Sequence, residues 1–143
     1  MSESRVATFV TIYQQLNKHT LHLLADIYHQ DIVFSDPLHK VSGVAQLHDY
    51  FADLYSNVSE CNFAINATYC SDDDAFIYWV MTYRHPKLAG NKQIDVSGHS
   101  HLVFQQNKII QHQDFFDVGA LLYRHIPIVG SVIKLIDKRA TGV

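Results

Sequence analysis

Phe63-Ala-Ile-Asn-Ala-Thr-Tyr69 runs into Ser71-Asp-Asp-Asp74 and then into Ala75-Phe-Ile-Tyr-Trp-Val-Met-Thr-Tyr83. In the first stretch Phe63, Ile65, Ala67 and Tyr69 alternate with more polar positions, the period-two pattern of a half-buried strand. The acidic cluster marks a turn, so the third stretch reads as the hairpin partner of the first. That partner is apolar on both faces, as befits a central strand covered on both sides. A second subunit is the simplest cover for its outer face, which makes a homodimer through the outer sheet face the expected assembly.

Upstream the period is helical. Val6, Phe9, Val10, Tyr13 and Leu16 form one apolar stripe and predict a first helix over 4–17. Thr20 can cap a second, shorter helix carrying Leu23, Leu24 and Ile27. A short extended segment, Ile32-Val-Phe34, leads to Ser35-Asp-Pro37, where proline lacks an amide hydrogen and pushes Asp36 into an extended conformation. Ser42-Gly43 opens a third helix with Val44, Leu47, Phe51 and Leu54 on one face. Downstream, a loop from His85 to Lys92 precedes strands over about 93–105 and 108–117, joined at Gln106-Asn107. Three helices followed by a four-strand meander form an α+β pattern with no internal repeat, so the 143 residues are expected to form one domain, core about 4–118.

In the tail, Gly119 to His125 can form a turn or two of helix, Pro127 interrupts it, and Val129, Val132, Ile133 and Ile136 form a further stripe, with Lys134, Lys138 and Arg139 off it. A helix capping the sheet or the pocket mouth is the expected reading. Membrane contact is the alternative, since basic amphipathic stretches also lie on bilayer surfaces.

Composition narrows the function classes. With 11 basic and 14 acidic side chains the formal charge is −3, and no basic stripe follows a phosphate backbone, so nucleic acid is not an expected partner. No leader-like or membrane-spanning run is present, which points to the cytoplasm. On one strand, Cys61 and Cys70 would lie about 30 Å apart on opposite faces, so they are not expected to pair, in keeping with a reducing compartment. No cofactor motif is found.

Phe34-Ser-Asp-Pro37 ahead of a Gly43-initiated helix, and Lys108-Ile-Ile-Gln-His-Gln-Asp-Phe-Phe-Asp117 at the end, taken with the element order, resemble the nuclear transport factor 2-like superfamily. The likeness is to its SnoaL-like and ketosteroid isomerase-like branch and covers about residues 4–118. It implies a cone-shaped, cystatin-like α+β domain, commonly dimeric, with a ligand pocket inside the cone. Asp36-Pro37 matches the position of the isomerases' proton-shuttling base, and Asp114 matches the last-strand aspartate of SnoaL-like cyclases. The isomerases' oxyanion tyrosine falls nearest Ile12, with Tyr13 one place off, and Ser100 stands where their buried acid would be. Steroid isomerase activity is therefore not implied.

Alternation places Ile110, His112, Asp114 and Phe116 of the last strand on one face. If that face looks inward, Asp36, His112 and Asp114 form the candidate catalytic set: Asp36 as base, Asp114 as acid or proton carrier, and His112 as orienting donor. A satisfied buried His–Asp pair is the structural alternative. The pocket is expected to be lined by Tyr13, Phe51, Tyr55, Tyr78, Trp79, Ser100, Leu102, Phe104 and Phe116, with Gly98 and Ser100 leaving room for ligand.

A metal site is the competing constellation. His99 and His101 share a strand face, and a two-residue turn at Gln106-Asn107 would set His101 opposite His112 and His99 opposite Asp114. The preferred register has Asn107 left-handed in a three-residue loop, Ser100 opposite His112, and both histidines on the other face, hence no metal. The expected function is binding of a small, largely apolar molecule, with isomerase, cyclase or epoxide hydrolase-like acid–base chemistry. The alternatives are a non-catalytic binding or dimeric accessory domain and, third, a metal-dependent enzyme.

Overall fold

A computed structural model of the protein describes residues 2–121 and 127–142. Helix α1 (Ser2–Gln15) opens the chain, and a 3₁₀ turn (Leu21–Leu23) runs into the single-turn α2 (Leu24–Ile27). Strand β1 (Tyr28–Ser35), short β2 (Lys40–Ser42), α3 (Val44–Asn57) and four strands follow: β3 (Glu60–Ser71), β4 (Asp74–Arg84), β5 (Ile94–Gln105) and β6 (Lys108–Phe116). Helices α4 (Val118–Leu121) and α5 (Pro127–Thr141) end the chain. The α+β expectation holds: N-terminal helices pack on one face of a curved six-stranded sheet ordered β2-β1-β6-β5-β4-β3.

Two strands enlarge the expected meander. The segment read as Ile32–Phe34 extends back to Tyr28 and pairs parallel with β6, Phe34 lying opposite His112. It also pairs antiparallel with β2. Parallel pairing joins residues more than 70 positions apart in the chain, so no local periodicity announces it.

The three helices form for the expected reason, since each buries one stripe. Phe9 and Tyr13 from α1 and Leu16 just after it, Leu24 and Ile27 from α2, and Leu47, Phe51 and Tyr55 from α3 join Ile32, Ile77, Leu102 and Ile109 of the sheet in one buried cluster. Thr20 is not a side-chain cap; its hydroxyl donates to the Gln15 carbonyl and accepts from the Asn17 amide, stapling the link after α1. Gly43 starts α3 at φ +88°, a conformation that L side chains rarely adopt, while its amide donates to the Ile32 carbonyl at 2.7 Å.

Two bulges overturn face assignments made from strict alternation. Ile65 pairs with Trp79 and Ala67 with Tyr78, so Asn66 is skipped. Phe63 and Ile65 pack on the core, whereas Tyr69 lands on the outer face at 62% exposure. The same bulge puts Cys70, opposite buried Ala75, on the inner side with Cys61; the two sit near opposite ends of β3 and are both free.

At the other hairpin Gln105 pairs with Lys108, so the turn has two residues, and it is Gln106 rather than Asn107 that is left-handed (φ 59°). Phe104 pairs with Ile109 but Val103 with Gln111, skipping Ile110. The bulge restores by another route the facing expected from a three-residue loop. Ile109, not Ile110, joins His112, Asp114 and Phe116 inside, and Ser100 lies opposite Asp114 rather than His112.

In the tail, Pro127 begins α5 rather than interrupting a helix, consistent with proline's fitness for a first helical position. The expected turn of helix over 119–125 is present as α4 up to Leu121; its remaining positions lie outside the described residues. Of the expected α5 stripe, Val129, Val132 and Ile136 are exposed and Ile133 is half-buried. Among the described residues no helix is long and apolar enough to cross a membrane.

Candidate functional site

The inner face of β6 carries a continuous run of hydrogen bonds. His112 is completely enclosed, with Nε2 2.6 Å from Asp114 Oδ1 and Nδ1 2.7 Å from the Tyr28 hydroxyl. Tyr28 in turn lies 2.6 Å from the Tyr13 hydroxyl. From the other side Ser100 Oγ donates to Asp114 Oδ1 at 2.5 Å and accepts from Trp79 Nε1 at 2.9 Å. Six side chains from α1, β1, β4, β5 and β6 are thereby joined. Phe9, Tyr13, Tyr28 and Phe34 pack their rings around the imidazole. Burial is the first reason that Tyr13 and Tyr28 hold their protons far above the usual phenol range, and the Asp114 charge adds to it in both. Asp114 differs from the rest of the run, because its side chain keeps 18% exposure and both bonds fall on Oδ1.

Asp36 belongs to a separate constellation. Oδ1 accepts the amides of Leu38 (2.8 Å) and His39 (2.7 Å), the Tyr50 hydroxyl donates to Oδ2 at 2.6 Å, and His39 Nδ1 stands 3.3 Å from Oδ1. This is a carboxylate-stapled turn tied to α3. Tyr50 is held protonated well above its usual range, first by burial, then by its bond to Asp36 and that carboxylate's charge, and last by the charge of Asp114. The two carboxylates share no hydrogen-bond partner: Asp36 is bonded to Leu38, His39 and Tyr50, and Asp114 to Ser100 and His112.

An apolar cavity of about 200 Å³ lies beside Asp36 and is bounded by it and by Leu38, His39, Tyr50, Leu54, Val58, Cys61, Met81, Tyr83, His85, Leu88, Phe116 and Leu121. Tyr83 donates its hydroxyl to the Leu121 carbonyl, which ties α4 to the rim. Phe116 is the only residue of the expected ligand-binding set on this wall, and Asp114 precedes it by two places on the same strand face.

The other expected lining residues go elsewhere. Tyr13, Phe51, Leu102 and Phe104 are buried core, and the Arg5 guanidinium covers the Phe104 ring at 4.5 Å. Tyr55 borders a different, more polar cleft of about 540 Å³ between the end of α1 and the start of β3, and its buried hydroxyl has no partner among the described residues. Tyr78 faces outward, 42% exposed, stacked on His99. Trp79 and Ser100 serve the hydrogen-bond run. Gly98 does not leave room for ligand: a Cβ there would come within 2.5 Å of the Trp79 ring and 2.6 Å of the Phe115 carbonyl oxygen, so the glycine accommodates the indole.

His99 lies between Tyr78 and Phe115, with ring centroids at 5.0 and 4.8 Å, and His101 stacks on Phe76 and pairs with Asp74 at 2.6 Å. Both face away from His112, and no group of metal ligands gathers among the described residues.

Sequence reasoning missed Tyr28, Tyr50, His39 and His85. Tyr50 was within reach, since it falls three places after Leu47 and four before Leu54 on the α3 stripe. Tyr28 was hidden at a helix-to-strand junction, where the period changes and neither pattern identifies its facing.

The SnoaL-like domain profile matches residues 9–112, ending two residues short of Asp114. A protein described as a putative SnoaL-like polyketide cyclase from Jannaschia sp. CCS1 superposes with a TM-score of 0.74 at 13% identity, covering 85% of this chain and 90% of that one. AclR, described as a putative hydroxylase from Streptomyces galilaeus, gives 0.74 at 17% identity over 99% of this chain and 95% of its own. A protein with a ketosteroid isomerase-like fold from Catenulispora acidiphila, solved in complex with trimethylamine, gives 0.72 at 15% identity over 85% and 92%. At such identities these likenesses establish the fold alone. No protein of curated function matches the sequence. Because the profile spans well over half of the chain, the protein belongs to the SnoaL-like domain family.

Proposed function

We propose that the chain binds a small, largely apolar molecule in the cavity beside Phe116 and exchanges a proton with it through Asp114, in isomerase-, cyclase- or hydrolase-type acid–base chemistry. The observation that carries this reading is the asymmetry of Asp114: one oxygen is anchored by His112 and Ser100, and the partly exposed side chain leaves the other for a ligand. His112 keeps its role as orienting donor. Asp36, with three donors on its two oxygens, holds the turn and aims Tyr50 instead of acting as the base.

The cavity is smaller than the roughly 300–1,000 Å³ usual for drug-sized ligands, which favours a one- or two-ring molecule over an extended polycycle. With 2-tetralone as probe, calorimetry is expected to detect binding to the natural protein and at least a tenfold loss in Leu54→Trp, which fills the cavity. Equal affinities would remove the cavity from the proposal.

A non-catalytic binding domain is the second reading, favoured by the closure of the hydrogen-bond run within the core. In either case a second copy is inferred to cover the outer sheet face, where Tyr69, Tyr78 and Phe115 stand exposed in contact with one another or with His99. Sedimentation should give a dimer that Tyr78→Glu dissociates; a monomeric natural protein would end this part. Two free cysteines support a reducing compartment, and the cytoplasm is part of the same reading.

A further inference from the structure

Hydrogen atoms can be counted along the buried run, and the count has a direction. Trp79 Nε1 can only donate, so Ser100 Oγ accepts from it and has its single hydrogen free for Asp114. A carboxylate can only accept, so His112 Nε2 carries a hydrogen toward Oδ1. In a neutral ring Nδ1 is then bare and must accept, which makes Tyr28 the donor at 2.7 Å. Tyr28's oxygen is left to accept from Tyr13 at 2.6 Å. Every contact in this arrangement has one donor and one acceptor.

The opposite arrangement fails at its far end. An imidazolium would donate from Nδ1 to Tyr28, Tyr28 would donate to Tyr13, and the Tyr13 hydrogen would find no acceptor among the described residues, since its hydroxyl is bonded to Tyr28 and its ring is packed against Phe9, Phe51 and Phe63. A buried donor without an acceptor is the costly outcome in such a network. Both tyrosines are held as hydroxyls by burial, so neither relieves the mismatch as a phenolate.

We infer that Tyr28, backed by Tyr13, is a positioning residue that locks His112 as the neutral tautomer with its Nε2 hydrogen on Asp114. The inference deepens the Asp114 reading and rests on it for its functional meaning. His112 then cannot store the proton that Asp114 receives unless both hydroxyls turn round, and proton exchange is confined to the carboxylate. This separates His112 from a second general base.

The test is ¹⁵N NMR of the whole chain labelled at histidine, without ligand and at neutral pH. His112 is identified among the ten histidines by its slow solvent exchange and by its response to Tyr28→Phe. The expected result is a neutral ring with the hydrogen on Nε2, and in Tyr28→Phe a downfield move of the bare Nδ1 resonance as its donor is lost. A hydrogen on Nδ1, an imidazolium, or an Nδ1 resonance unmoved in a folded Tyr28→Phe protein would overturn the inference. If Tyr28→Phe does not fold, slow exchange alone identifies the ring and the tautomer in the natural protein decides. The measurement needs no turnover, so failure of Asp114 as proton carrier would be read separately, from its own variant.

Discussion

Asp114→Asn is expected to lower catalysed proton exchange by roughly 10²- to 10⁴-fold, the usual contribution of a positioned acid or base. The α-protons of 2-tetralone in D₂O, followed by ¹H NMR, supply the assay. An amide keeps nearly the shape of the carboxylate and its oxygen can still accept from Ser100 and His112, at 2.5 and 2.6 Å in the natural protein. Folding and ligand affinity are therefore expected to survive while proton transfer is lost. Asp36→Asn should behave differently, since its oxygens are engaged by two amides and Tyr50, and the variant is expected to loosen the turn more than it slows exchange. Exchange that is equally fast in the natural protein and Asp114→Asn would dispose of the proton-carrier role.

Alkaline pH is expected to unfold the protein well before its surface charge alone would. Burial pushes the Cys61 thiol from 9.0 up to about 12 and the Tyr83 phenol from 10.0 to about 12, and it lifts Tyr13, Tyr28, Tyr50 and Tyr55 above the ordinary phenol value. These groups are neutral in the folded chain at pH values where the unfolded chain has already released their protons. Above about pH 9 the folded state thus binds more protons, and stability must fall as pH rises. The contribution is fully present below pH 9 and is lost through the range up to about 12.

At about 1.4 kcal/mol for each tenfold change in proton affinity, Cys61 alone accounts for on the order of 4 kcal/mol at the top of that range. That is a large part of a typical domain stability of roughly 5–15 kcal/mol. Urea titrations at pH 7, 9 and 11 should show the midpoint falling mainly between the last two, with a smaller fall in Cys61→Val. A midpoint unchanged from pH 9 to 11 would mean that these groups are not sealed in the folded core.

Helices were legible because each presents a single stripe to one partner: Phe9 and Tyr13, or Leu47 and Phe51, report burial through spacing of three and four alone. Strand existence was equally legible from Phe63 to Tyr83. Facing was not, because a skipped residue reverses every side chain beyond it. Asn66 and Ile110 carry no composition signal that distinguishes a bulge from a regular position, yet the first sends Tyr69 outward and the second brings His112 and Asp114 inward.

The order of elements, the α+β class, and the pairing of an imidazole with a carboxylate two places along one strand were contained in the linear chain, since all depend on local period or adjacent residues. The tertiary structure decided the parallel union of β1 with β6, the placement of Asp36 apart from Asp114, the wall of the cavity, and the links from Tyr13 and Tyr28 to the imidazole. Those features join residues as far as 84 positions apart, and no spacing rule reaches across such distances: they exist only where several elements close on one interior and most buried polar atoms find a partner there.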